Sequence, residues 1–435
     1  MKFEEKIYEK LGERVLRGTA ENGLRIVVVP KKGFSGYFAA FGTYYGSAMR
    51  SFMLSGERVD TPSGVAHYLE HKMFDMPDGD NALQSMTASG ADPNAFTSYD
   101  ETVYHFRCTE NFYDNLRKLL RFVSTPYFTA ETVAKEQGII AQEIRMYDDD
   151  PESVVNLELM KLLYKVHPMR EDIAGTVESI AQITPETLYD CHRAFYTPGN
   201  MCLCVEGDVD AETIAQIARE VLGTEKREPP RPIIPEEDHA PETRYTERRM
   251  SVSRPIFQFG APFTDPEEGL GRAAVAAKLA MRMLCSPSSP LYARLYSEGL
   301  IDRSFYFGID YTVGAAVVVI GGQSREPEKV YDAVLAEAER VAAEGFEPDF
   351  FERSRRASLG ARLRGFENFD IVCLSSFDAE RHGKCVFDSP ELLASVTPEE
   401  CRDFIGRVLT RERTAMSVIK PLAADGEAHD AQAGD

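Results

Sequence analysis

The run His67-Tyr68-Leu69-Glu70-His71 has the pattern H-x-x-E-H, the reverse of the H-E-x-x-H zinc motif. On a helix, positions three and four apart lie on one face. His67 and His71 can therefore aim two imidazoles at one metal ion, with the Glu70 carboxylate beside them. Zinc accepts neutral imidazole nitrogen, and a catalytic zinc site needs a third protein ligand plus an open position. From these five residues alone, two readings stand: a metal site, or two ordinary half-exposed histidines next to a solvated glutamate.

The neighbouring residues predict the helix that such a site requires. Thr61 suits an N-cap, Pro62 suits the first helical position, and Pro77 marks a stop. Val65, Leu69 and Met73 recur every four residues and form an apolar stripe. At about 100° per residue, His67 and His71 point away from that stripe, with Glu70 at its flank. A second helical stretch, Ala134 to Arg145, carries Glu136 and Glu143 seven apart on one face, with Ile140 and Ile144 beside them as core residues. Read from their own residues, the two glutamates form a solvated helix face.

The order of these motifs is distinctive. H-x-x-E-H is followed by E-x6-E, with Glu143 seventy-two positions beyond His71, and then by the acidic turn Asp148-Asp149-Asp150-Pro151-Glu152. This resembles the pitrilysin/insulinase family of inverted-motif zinc metallopeptidases, in its bacterial two-halved, zinc-bearing subunit form. The likeness extends to Gly64-Val65-Ala66, Met73-Phe74, Asn94-Ala95-Phe96-Thr97 and Ala174-Gly175-Thr176, and it weakens in the second half of the chain.

The resemblance implies a Zn2+ site with His67, His71 and Glu143 as ligands, a geometry that cobalt or manganese would also fit. It implies Glu70 as general base and Glu136 as the second catalytic carboxylate, holding a ligand in place. The reaction implied is peptide-bond hydrolysis without a covalent intermediate, and no G-x-S-x-G elbow competes with it. It also implies that a peptide substrate adds as a strand to a sheet edge near the zinc, with Asn94, Ala95, Phe96 and Thr97 as substrate-binding positions. Without the resemblance, that run reads as a loop leading into the strand Thr102 to Phe106. His105, inside the strand pattern, reads as structural.

The chain has 435 residues, 43% of them hydrophobic, enough for two or three domains. Its net charge of −21 argues against nucleic-acid binding. No run of eighteen apolar residues predicts a membrane span, and Met1 to Lys6 lacks the apolar core of a signal peptide. The eight cysteines are scattered, with no C-x-x-C pair, which points to a reducing, cytoplasmic setting. Cys202 and Cys204 alternate in a strand-like run and should face the core together.

Residues 225–244 contain five prolines among many charges and read as a linker. It separates an N-terminal zinc-binding catalytic domain (1–224) from a homologous metal-free domain (245–420), followed by a disordered acidic tail (421–435). Each half shows a strand-like run, Leu24 to Val29 and Pro255 to Phe259, and then helical stretches, including Ala273 to Leu284. A later strand, Ala315 to Ile320, is expected to stop at Gly321-Gly322. The fold class expected is α+β: two homologous sandwich units, each an antiparallel-type sheet with helices packed on it, forming half of a clamp. Members of the resembled family that act alone or as homodimers often carry an Arg and a Tyr in the second half. Here Tyr296 and Asp302 occupy those positions, so the resemblance implies a zinc-less paralogous subunit as heterodimer partner, or else a homodimer. The readings that follow are a zinc endopeptidase acting on small or unfolded peptides, a leader-peptide processing protease, a catalytically silent scaffold subunit, or a peptide-binding module.

Overall fold

The computed structural model describes residues 1–54, 56–77, 79, 81–237, 241–265 and 267–422. Two compact units divide the chain, and neither is continuous in sequence. The first comprises residues 1–144, 172–234 and 359–391; the second comprises 145–171, 235–358 and 392 onward.

The first unit holds β1 (Glu4–Tyr8), β2 (Glu13–Thr19), β3 (Arg25–Pro30), β4 (Tyr37–Thr43), β5 (Ser51–Leu54), β6 (Glu57–Asp60), β7 (Ala91–Thr97), β8 (Thr102–Cys108), β9 (Met201–Gly207) and β10 (Arg231–Pro232). Seven of them form one sheet in the order β1-β2-β3-β9-β4-β8-β7, and β10-β5-β6 form a small second sheet. All pairings in the large sheet are antiparallel except β3 with β9. β9 is buried along its whole length, which accounts for its apolar run from Met201 to Val205. Cys202 and Cys204 sit on one face of it with sulfurs 3.7 Å apart. They pack against Val372, Cys373 and Phe377 of the helix Phe369–Arg381. His105 stacks on Phe38, a structural role as expected.

The second unit holds β11 (Tyr245–Met250), β12 (Ile256–Phe263), β13 (Tyr306–Thr312), β14 (Ala315–Gln323) and β15 (Ala415–Pro421), ordered β11-β15-β12-β14-β13. β11 and β15 are parallel and the rest antiparallel. That repeats the order and directions of β3-β9-β4-β8-β7, so the α+β duplication expected from the sequence holds at the level of strand topology. The helix Pro151–Leu163 packs on β12 and β15, joining Val154 and Val155 to Ile256 and Ile419. The sheet of each unit is thus covered by a helix drawn from the other half of the chain. The acidic turn supplies the start of that helix: Asp150 caps it by accepting from the Ser153 N–H, and Pro151 takes the first helical position.

Three local expectations change. The helix bearing the histidines runs Val65–Lys72 and starts at Gly64, not at Thr61-Pro62, because Thr61 donates its hydroxyl to the Arg50 carbonyl instead. Asn94 to Thr97 belong to β7, an edge strand, rather than to a loop. β14 runs through Gly321 and Gly322; a Cβ on Gly321 would meet the Tyr306 hydroxyl at 2.8 Å and the Gln258 side chain at 2.9 Å, so glycine there makes room for neighbours. Pro421 still pairs in β15, and the tail from residue 423 lies outside the described residues.

Candidate metal centre

The helix Val65–Lys72 buries Val65, Ala66, Tyr68, Leu69, Glu70 and Lys72. Gly64 begins it with φ of 89°, a left-handed conformation that glycine adopts without penalty. A Cβ there would lie 2.3 Å from the Ala174 carbonyl oxygen, and one on Gly175 would lie 2.6 Å from the Ser63 carbonyl oxygen. Two glycines distant in sequence thus allow one close backbone approach that sets the start of this helix. The second element, the helix Ala130–Asp149, buries Val133, Ile140, Ala141 and Ile144. The Tyr68 hydroxyl donates to the Val133 carbonyl and ties the two helices together.

On these two helices, one ligand atom each from His67, His71 and Glu143 lies within 4.8 Å of the others. His67 Nε2 is 3.7 Å from Glu143 Oε1, and His71 Nε2 is 3.7 Å from Glu143 Oε2. These separations exceed a hydrogen bond. They approach the spacing of roughly 3.3–3.6 Å between two atoms bound tetrahedrally at zinc–nitrogen and zinc–oxygen distances. The donor set of two imidazoles and a carboxylate therefore fits a zinc ion at their centre.

Protonation supports the same fit. Burial, with the His71 charge adding to it, pushes the His67 pKa down to about 3, so this ring is neutral at ordinary pH. Its Nδ1 is buried and has no hydrogen-bond partner among the described residues. Burial also acts to lower the His71 pKa, but the hydrogen bond to Glu136 and the charges of Glu70, Glu136 and Glu143 outweigh it and raise the value. His71 Nδ1 lies 3.0 Å from Glu136 Oε1. A carboxylate oxygen accepts, so Nδ1 carries the hydrogen, and in the neutral ring Nε2 is left with its lone pair on the side of Glu143. A carboxylate behind a ligating histidine is a recurrent feature of metal sites.

Glu70 stands apart from the three converging groups. It is 7% exposed, and its Oε2 accepts a 2.6 Å hydrogen bond from the Thr97 hydroxyl. Burial raises its pKa, with a contribution from the Glu143 charge and opposition from Thr97 and His71. Asn94, Ala95 and Phe96 precede Thr97 on β7, and Asn94 Oδ1 accepts from the adjacent Ala95 N–H. The structure therefore brings together His67, Glu70, His71, Glu136, Glu143 and Thr97. The contact between Thr97 and Glu70 was not foreseen: the residues are twenty-seven positions apart, and no periodicity links a strand residue to a helix residue.

The chain as a whole is similar to several known proteins. The family described as "Insulinase (Peptidase family M16)" matches residues 47–177, and the one described as "Peptidase M16 inactive domain" matches residues 182–358. The uncharacterized zinc protease YmfH of Bacillus subtilis (strain 168) is 36% identical over 424 residues, spanning 95% of this chain and 98% of that protein. The crystal structure described as that of an M16-like peptidase from Alicyclobacillus acidocaldarius superposes with a TM-score of 0.88 at 30% identity, covering 97% of this chain and 99% of that one. Pitrilysin shares the fold alone, with a TM-score of 0.75 at 15% identity over 96% of this chain and 46% of its own.

Proposed function

The chain belongs to the insulinase (M16) peptidase family, and from that premise we propose that it is a zinc-dependent endopeptidase acting on small or unfolded peptides. The observation that carries the reading is the convergence of His67, His71 and Glu143 within 4.8 Å, with Glu70 next to them and outside the ligand set. In this reading His67, His71 and Glu143 would hold the metal, while Glu136 fixes the His71 ring by its 3.0 Å contact to Nδ1. Zinc held there would supply acidification of water and polarisation of a carbonyl oxygen. Glu70 takes a proton at its carboxylate and passes it to the leaving amine; its raised pKa suits both halves of that task. β7 is the edge of its sheet, so its outer backbone groups suit strand addition by a peptide, with Asn94, Ala95 and Phe96 alongside.

The second half supports a role without metal. Its helix Arg272–Cys285, the first after β12, contains no histidine. Tyr296 is 50% exposed on the helix Pro290–Ser297. Asp302 accepts from the Ser304 N–H and hydroxyl; together with the Arg254 charge these hold its pKa below the usual carboxylate value. An ionised acid offers no hydrogen to a developing oxyanion. The Arg and Tyr expected at these positions would then come from a second, zinc-less paralogous subunit. All eight cysteines are free, in keeping with a reducing compartment. A domain boundary within 225–244 belongs to the same proposal.

The test is hydrolysis of an unfolded peptide, followed by mass spectrometry, by the zinc-loaded chain alone and mixed with a zinc-less paralogue. Glu70→Gln should keep zinc and lose about 100- to 10,000-fold in rate. Near-normal hydrolysis by Glu70→Gln would refute the mechanism. Full activity of the isolated chain would refute the heterodimer.

A further inference from the structure

We infer that Thr97 is a positioning residue for Glu70 and not a substrate contact; the inference rests on the general-base reading above. Thr97 ends β7 and Thr102 begins β8, and the two face each other across the hairpin. Their hydroxyl oxygens are 3.2 Å apart. Thr102 is fully buried and donates its single hydrogen to the Tyr45 carbonyl at 2.9 Å, so towards Thr97 it offers only a lone pair. The Thr97 hydroxyl also has one hydrogen and two acceptors within reach: a neutral hydroxyl at 3.2 Å and the Glu70 carboxylate at 2.6 Å. The charged, nearer acceptor wins. That hydrogen therefore lies on Glu70 Oε2.

This matters for reactivity because the terminal torsion of a glutamate is broad. Left alone, the carboxylate would sample many orientations, each presenting its oxygens differently to water beside the metal ligands. A donor on a β-branched side chain, itself stiff and set in a paired strand, selects one of them. With Oε2 engaged, Oε1 is the oxygen without a protein hydrogen-bond partner among the described residues, and is the one presented for proton transfer. A strand-adding substrate would use the backbone of β7, which a change in the Thr97 side chain leaves in place.

The experiment compares Thr97→Val, which keeps the shape and removes the hydroxyl, with Thr97→Ser, which keeps the hydroxyl. Glu70→Gln is the reference, and zinc content and affinity are measured for every variant. The expected result is a kcat about 10- to 100-fold lower in Thr97→Val, with KM within about two-fold, unchanged zinc affinity, and recovery of most of kcat in Thr97→Ser. Unchanged kcat in Thr97→Val, a rise in KM alone, or a loss that tracks lost zinc would each overturn the inference while the peptidase reading stands, provided Glu70→Gln is inactive. Activity in Glu70→Gln would overturn both. Should wild type hydrolyse nothing, with or without the paralogue, the peptidase reading fails. Crystal structures of wild type and Thr97→Val then decide: a Glu70 carboxylate in the same place in both would end the positioning role, and a displaced one would support it.

Discussion

Glu136 offers the sharpest quantitative handle on the proposed metal centre. Its Oε1 lies 3.0 Å from His71 Nδ1, a hydrogen bond with an ionised acceptor. Bonds of that class contribute about 1.5–3 kcal/mol. At about 1.4 kcal/mol per factor of ten, Glu136→Ala should weaken zinc binding roughly 10- to 150-fold, in line with the usual effect of removing the group behind a ligating histidine. Glu136→Gln retains a neutral acceptor of nearly the same shape and should lose only about half of that energy, or roughly 3- to 12-fold. The expected order is therefore wild type, then Gln, then Ala. A proton competes for the same ring. Glu136 raises the His71 pKa, so zinc must displace a proton held more tightly in wild type than in either variant. At neutral pH that competition hides part of the deficit, and raising the pH removes it, so the gap between wild type and the variants should widen. The assay is a competition titration against a chromophoric chelator at neutral and alkaline pH. Zinc affinity of Glu136→Ala within about two-fold of wild type at alkaline pH would refute the assigned geometry.

Two further predictions concern stability. Gly64→Ala forces a Cβ into left-handed backbone and to 2.3 Å from the Ala174 carbonyl oxygen; the combined strain and overlap should destabilise by about 2–4 kcal/mol, and thermal unfolding within about 1 °C of wild type would contradict it. Glu206 is fully buried, and desolvation raises its pKa to about 8, against the pull of Lys31 at 3.3 Å. The folded chain therefore holds a proton there that the unfolded chain releases near the ordinary glutamate value of 4.5, so this residue stabilises below that pH and its contribution is lost as pH rises towards 8. Glu206→Gln should flatten the decline in denaturation midpoint across that window; an unchanged slope would count against it.

Much of this was legible before any coordinates. The 3.6-residue period alone placed His67, Glu70 and His71 on one segment with Val65, Leu69 and Met73 facing the core, and all three apolar residues are buried. It likewise separated Glu136 and Glu143 from Ile140 and Ile144. Period-two alternation put both Cys202 and Cys204 into the core. Such features depend on dihedral geometry within a few residues, which the order of side chains declares directly. The start of the histidine-bearing helix was less legible. Thr61 and Pro62 carry the local signals of a helix start, but the close approach of Gly64 to Ala174, a residue 110 positions away, decides where the helix begins.

Motif order and family likeness could nominate Glu143, but only packing of two helices brings it within 3.7 Å of both imidazoles. The same holds for the Thr97 hydroxyl on Glu70, and for the exchange that lays Pro151–Leu163 on the second sheet and Phe369–Arg381 on the first. Local periodicity states which face of an element is apolar; it does not state which other apolar face will cover it. That choice is made by the shape and burial of all the elements together, and it is why the candidate ligands were readable one helix at a time while their meeting point was not.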